Sequence, residues 1–219
     1  QGIATLALAE AYGLTKDEKL REPLEKAVEF VVKAQNKTHG AWDYRPYHLH
    51  KTNRKDSSVS GWQLMALNSA RLAGIKIENR SFDLAGVWLD QVSSGSHKGK
   101  YGYDNPGNKP AMTALGMFSQ QLLGKYESDH PRMLESSKTI LGNLRKGKNN
   151  DFYFIYYGCL SMYMNKGEPW ETWNPVMRES LLANQVKGGK DEGSWDYKGG
   201  NHSKAMGRVI TTAIATLSL

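Results

Sequence analysis

The sequence predicts an all-α fold made of helical hairpins standing side by side. Three features point there. Segments that are apolar on nearly every face alternate with segments that carry one apolar stripe and a charged back. A short unit, Gln followed by Gly-x-Trp, occurs at Gln35/Gly40/Trp42 and again at Gln185/Gly193/Trp195. Period-two alternation between turn dipeptides is absent. A helix that is greasy all round is buried all round, whereas a striped one covers a core and meets water. The expected architecture is therefore an inner ring of apolar helices and an outer ring of amphipathic ones, in one domain over residues 1–219. Four hairpins and the start of a fifth fit that length, leaving the ring incomplete.

Taken in order, Ile3 to Tyr12 is rich in Ala and Leu and is expected to close at Gly13. Thr15-Lys-Asp-Glu18 has the form of a capping box for a striped helix with Leu20, Leu24, Ala27, Val28 and Val31 on one face. Residues 37–54 carry Gly40, Pro46 and three His, and are expected to be loop. Asp56 is suited to cap an apolar helix from Val59 to Ala73, stopped by Gly74. Asn79 or Ser81 opens a striped helix with Phe82, Ala85, Leu89 and Val92. After a Gly-, Ser- and Lys-rich run, Pro110 opens another apolar helix that ends at Gly124. Asp129 and Pro131 start a striped helix, and Asp151 an aromatic one running from Phe152 to Met164. Pro169 to Val186 follows, and Val209 opens the last helix.

Composition narrows the class. A hydrophobic share of 39% with six Trp and eleven Tyr belongs to a globular chain. Apolar runs are broken well short of the roughly 18 residues a membrane span needs. Cys159 stands alone, so no intrachain disulfide forms. The net charge of +7 gathers in Lys51–Lys55, Lys98–Lys100 and Arg145–Lys148, all in connections or at helix ends. Such a balance attracts polyanions, but no nucleic-acid module accompanies it, and solvated surface explains it as well. The chain starts and stops inside apparent helices, which is read as a piece of a longer protein whose targeting segments lie elsewhere.

Gln followed by Gly-x-Trp after a striped helix resembles the QW repeat of the squalene-hopene cyclase and protein prenyltransferase superfamily. Stretches such as DSSVSGWQLMALNSA and AMTALGMFSQQLLG are similar to bacterial prenyltransferase/squalene-oxidase-repeat proteins of unassigned function. The resemblance implies an α/α toroid, with Gln35, Trp42, Gln185 and Trp195 as structural locks. A buried amide needs partners and an indole offers a broad packing face. A worn third copy is expected at Gln91, with Gly102 and Tyr103 in place of Gly-x-Trp.

The resemblance also says which catalytic sets to look for, and none is in the sequence. There is no Asp-x-Asp-Asp acid motif of the cyclases, and Asp191-Glu192 is the nearest acidic pair. The prenyltransferase zinc set is missing: Tyr157 stands two residues before Cys159, where Asp is required. The thioester Cys-Gly-Glu-Gln is missing too, as are phosphate loops and nucleophile elbows. No cofactor is implied. His39, His48 and His50 lack the regular spacing of a metal set, so no metal is assigned.

What recurs is Trp42-Asp43-Tyr44, Tyr103-Asp104 and Trp195-Asp196-Tyr197. Aromatics beside carboxylates can grip sugars, peptides or cations, and the same Asp residues can equally cap turns. Asp56, Trp62, Gln63, Tyr156 and Tyr157 are the groups expected to look into a central cavity. Three functions follow: a non-catalytic module binding a small molecule, glycan or peptide; an enzyme on an apolar isoprenoid with Asp56 or Asp43 as the acid; and a polyanion binder.

Overall fold

The computed structural model describes residues 1–144, 151–196 and 203–219, with side chains from 207 onward in the last segment. The basic cluster at 145–148 and Tyr197 lie outside the described residues. The fold is all-α. Among the described residues the helices are α1 (Gly2–Thr15), α2 (Arg21–Ala34), α3 (Tyr47–His50), α4 (Ser57–Leu72), α5 (Arg80–Gln91), α6 (Pro110–Leu123), α7 (Pro131–Leu141), α8 (Phe152–Asn165), α9 (Gly167–Asn184) and α10 (Ser203–Leu217). Two short strands, β1 (Ser93–Ser94) and β2 (Lys100–Tyr101), pair antiparallel with Ser93 opposite Tyr101.

Helices α1, α4, α6, α8 and α10 contact one another in succession, and α2, α5, α7 and α9 pack on that series. Sequence pattern explains the division. Ala111 to Gln120 of α6 and Phe152 to Cys159 of α8 are buried without a break. In α2 only Leu24, Val28, Val31 and Ala34 are buried, at the spacing of one helix face. Its back carries the pairs Glu22–Lys26 and Glu29–Lys33, exposed to water and therefore strongly screened. Glycines on the buried helices let large rings approach. A Cβ at Gly116 would lie 2.4 Å from the Tyr101 ring, and one at Gly158 2.2 Å from the Trp173 ring.

Several helix ends differ from expectation. α1 runs past Gly13 and closes at Lys16, whose φ of 54° is left-handed. Gly13 instead lies against Ala73, 3.4 Å from where its own Cβ would be. Thr15 belongs to α1, and Asp17 caps the following 3-10 turn by accepting from the Lys19 amide. His130, not Asp129, caps α7 by accepting from the Arg132 amide. The 37–54 connection contains the short helix α3.

Candidate functional site

The loops after α2, α5 and α9 turn corners toward the next buried helix, and these corners place the candidate residues. Gln35 follows α2 in extended backbone, and its Nε2 donates to the carbonyls of Gly40 (2.9 Å) and Ser81 (3.0 Å). The Trp42 indole donates to Val31 O at 2.8 Å and its amide to Ser60 Oγ at 2.9 Å. Lys37 Nζ donates to Val32 O at 2.6 Å. Gly40 has φ 82°, a conformation that side chains resist.

The corner after α9 repeats all of these bonds but the one to Ser81. Gln185 Nε2 donates to Gly193 O (2.8 Å), the Trp195 indole to Leu181 O (2.8 Å), the Trp195 amide to Thr212 Oγ1 (3.2 Å) and Lys187 Nζ to Leu182 O (2.8 Å). Gly193 has φ 80°.

The third corner is not built as its letters suggested. Gln91 is the exposed last residue of α5, and Gly102 and Tyr103 lie beyond the turn. By pairing register, Ser93 faces Tyr101 as Gln185 faces Trp195. The Tyr101 amide donates to Thr113 Oγ1 (3.2 Å) in the first turn of α6, as Trp42 does to Ser60. Ser93 is too short to reach across, and its hydroxyl turns to Asp90 O. A charged clamp from α7 takes over. Arg132 Nε donates to Lys98 O (2.8 Å), and Glu135 accepts from the amides of Ser96 (3.1 Å), His97 (3.0 Å) and Gly99 (2.9 Å). Burial alone would raise the Glu135 pKa, but the amides of Gly99, His97 and Ser96 outweigh it and hold the carboxyl below its ordinary value. Arg132 and Glu135 carry no mark in the sequence, and Tyr101, part of an aromatic segment that reads as extended loop, sits in the short strand β2. Gly99-Lys-Tyr101 with a hydroxyl opening the next helix is the signal that marks the corner.

Four of the candidates meet around Arg54. Asp43 and Asp56 have buried side chains, and Arg54 reaches both, at 3.4 Å and 3.7 Å. Asp56 caps α4: it accepts from the Val59 amide (3.1 Å), the Ser58 hydroxyl (2.6 Å) and the Tyr103 hydroxyl. Burial, and then the bond to Asp56, push the Tyr103 pKa up to about 12. Asp43 first, and Asp56 and Tyr103 with it, raise the Arg54 pKa. The guanidinium lies 5.4 Å over the exposed Tyr44 ring, and Lys109 lies 5.7 Å over Tyr103. Asp104 is exposed and bonded to Asn105. Asp196 lies 4.0 Å from Arg208.

An aromatic seam joins this rim to the core. Tyr153 donates to Ser58 O (3.1 Å) and packs 4.9 Å from Tyr157. Trp62 touches Tyr157 edge-on and stacks on Tyr156 at 5.4 Å. Three expected cavity residues, Gln63, Tyr156 and Tyr157, are buried in the core instead. Tyr157 is fully buried, with burial holding its hydroxyl protonated well above the ordinary range. Gln63 is buried where α4 crosses α1, against Gly2. Trp62 alone of this set is half-exposed.

The histidines do not gather. His39 is buried, its Nδ1 accepts from the Ala41 amide, and burial and then Lys55 lower its pKa. His48 packs edge-on against Phe30, and His50 is exposed. Among the described residues no group of three His, Cys, Asp or Glu is placed to hold a metal ion. Cys159 is core: its sulfur accepts from the Trp173 indole at 3.2 Å, and burial raises the thiol pKa to about 11. No helix among the described residues is long and apolar enough to cross a membrane. Comparison with protein-family models, with curated proteins and with solved structures finds no match.

Proposed function

We propose that this chain is a repeat domain of the squalene-cyclase and prenyltransferase kind, without their catalytic sets, that works as a binding module. Its hairpins form an arc of an α/α toroid. A glycan or peptide ligand meets the rim made by Tyr44, Arg54, Tyr103 and Lys109. One observation carries the choice of binding over catalysis: the two carboxyls available as an acid are already engaged. Asp56 satisfies a helix N-terminus, a serine and a tyrosine, and shares Arg54 with Asp43. A cyclase acid instead has to face an apolar cavity with a proton to give. The rim, by contrast, offers an exposed ring with a cation over it and polar groups beside it, a surface suited to weak recognition of sugars or peptides.

Incubation with squalene and with a prenyl diphosphate is expected to yield no product. A product formed by the native chain and lost in Asp56→Asn would overturn the proposal. On the binding side, NMR titration with panels of short oligosaccharides and peptides is expected to shift Tyr44 and Tyr103 resonances. Tyr44→Ala should weaken that binding by roughly tenfold or less, the scale of one aromatic contact. Binding that persists unchanged in Tyr44→Ala would move the site elsewhere, and affinity that collapses with salt would favour a polyanion.

A further inference from the structure

The clamp on the third corner holds an arginine at two of its three nitrogens. Arg132, in the first turn of α7, is 4% exposed. Its Nε donates to Lys98 O at 2.8 Å, and its Nη1 to Asp90 Oδ1 at 2.6 Å and to the Tyr126 hydroxyl at 3.0 Å. Nη2 makes no hydrogen bond among the described residues. A buried cation ordinarily spends its donors. Arg132 lines an open pocket of about 320 Å³ with Asp90, His97, Lys98, Tyr126 and His130.

The ground behind the lining is polar as well. The Tyr101 hydroxyl lies within electrostatic reach of Arg132, Asp90 and Tyr126, yet it and the neighbouring Gln120 amide are buried without a well-formed hydrogen bond among the described residues. The charge around the pocket is positive. Asp90 is shared between Arg132 and Lys125, whose Nζ lies 3.4 Å away, and Lys98 has no carboxylate at ion-pair distance among the described residues. Glu135 is spent on three amides and lines a separate hollow. His130 Nδ1 accepts from the Arg132 amide, which leaves the ring proton on Nε2 as a further donor.

We propose that this pocket binds a phosphoryl group, as free phosphate or as a small phosphate monoester, with Arg132 Nη2, Lys98 Nζ and His130 Nε2 as donors. Three donors of different kinds suit the oxygens of a tetrahedral phosphoryl group better than the two oxygens of a planar carboxylate. A guanidinium already fixed at two nitrogens loses little freedom when it takes the anion. The volume stands at the small end of ligand pockets, which calls for a small ester. The site shares no residue with the rim of Tyr44, Arg54, Tyr103 and Lys109, so it stands or falls apart from the ligand proposed there.

Titration of the whole chain with inorganic phosphate and with glycerol phosphate, followed by ¹⁵N NMR, tests it. Saturable shifts are expected at the Arg132 Nε–H, the His97 and Lys98 amides and the His130 ring, while glycerol and acetate leave them in place. Equal affinity for the two phosphates assigns the site to free phosphate, and tighter binding of glycerol phosphate assigns it to an ester; either upholds the inference. Lys98→Gln should weaken binding roughly tenfold, and Arg132→Lys more. Because Arg132 also clamps the corner, His130→Asn serves as a further variant: it keeps an acceptor for the Arg132 amide, removes the imidazole and should weaken binding several-fold. Lys26→Gln, which removes the same charge from the back of α2, should change nothing. The inference is overturned by no saturation at millimolar phosphate or ester, by shifts confined to other surfaces, by acetate binding as tightly, or by affinity indifferent to both Lys98→Gln and His130→Asn.

Discussion

The corner at Gln35–Trp42 and the corner at Gln185–Trp195 share four bonds of similar length, yet among the described residues one is covered by a further helix and the other is not. In the first, the glutamine is fully buried and makes a second bond to Ser81, and α5 presses on Gly40. In the last, the glutamine is partly exposed, and among the described residues nothing lies within 4 Å of the Cβ position of Gly193. The difference separates two contributions that a single motif usually merges. The bonds from tryptophan and glutamine shape the loop locally, since they form with or without a neighbour. Locking one hairpin to the next needs a second helix, and of these two corners the first has one among the described residues.

The widest gap between the corners is expected at the two glycines. Gly40→Ala and Gly193→Ala impose a comparable left-handed strain of about 1–2 kcal/mol. Only the first also drives a methyl into the α5 backbone, adding about 1–3 kcal/mol. Urea denaturation should therefore place Gly40→Ala well below Gly193→Ala; equal losses would mean that α5 yields freely. The glutamines come next. Gln35→Ala strips a buried amide from two carbonyls and should cost on the order of 2 kcal/mol, whereas Gln185→Ala should cost under about 1 kcal/mol. Equal costs would break the distinction.

The smallest effect is silent at neutral pH. Burial raises the pKa of Tyr101, Tyr103 and Tyr156 to about 12, and that of Tyr153 and Tyr157 further. These groups hold protons in the folded state that the unfolded chain releases above its ordinary tyrosine value near 10. Their contribution is thus complete below pH 10 and is lost as pH rises from there. Tyrosine absorbance should lag the unfolded titration curve and then rise together with unfolding. Independent titration of all the tyrosines before any loss of helix would contradict the packing of the seam.

Much of the fold could be read from the chain because its periodicity is local. Alternation of all-round apolar and striped segments decides which helices are buried, and Gln, Gly and Trp recur at two corners unchanged. The third corner misled for a physical reason. Its amide is replaced by a clamp from α7, so the residues that hold it, Arg132 and Glu135, sit outside the motif. Gly13 misled because a glycine that admits Ala73 looks in sequence like one that ends a helix. The rim was half legible. Asp43, Tyr44 and Tyr103 stand out in aromatic–carboxylate runs and Asp56 as a helix cap, but their meeting at Arg54 depends on tertiary packing. Gln63, Tyr156 and Tyr157 read as cavity residues in the sequence because each lies on a buried helix; the crossing of α1 and the ring of Trp62 put them in the core.

The most direct test of the central claim, that a covering helix turns a shaped loop into a lock, is native-state hydrogen exchange at two indole protons. Trp42 and Trp195 each donate to a main-chain carbonyl at 2.8 Å and each side chain is buried, so local geometry alone makes them equal. If the covering helix is what locks the loop, the Trp42 indole exchanges only with global unfolding while the Trp195 indole exchanges markedly faster through local opening. Equal protection at the two sites, or slower exchange at Trp195, would contradict it.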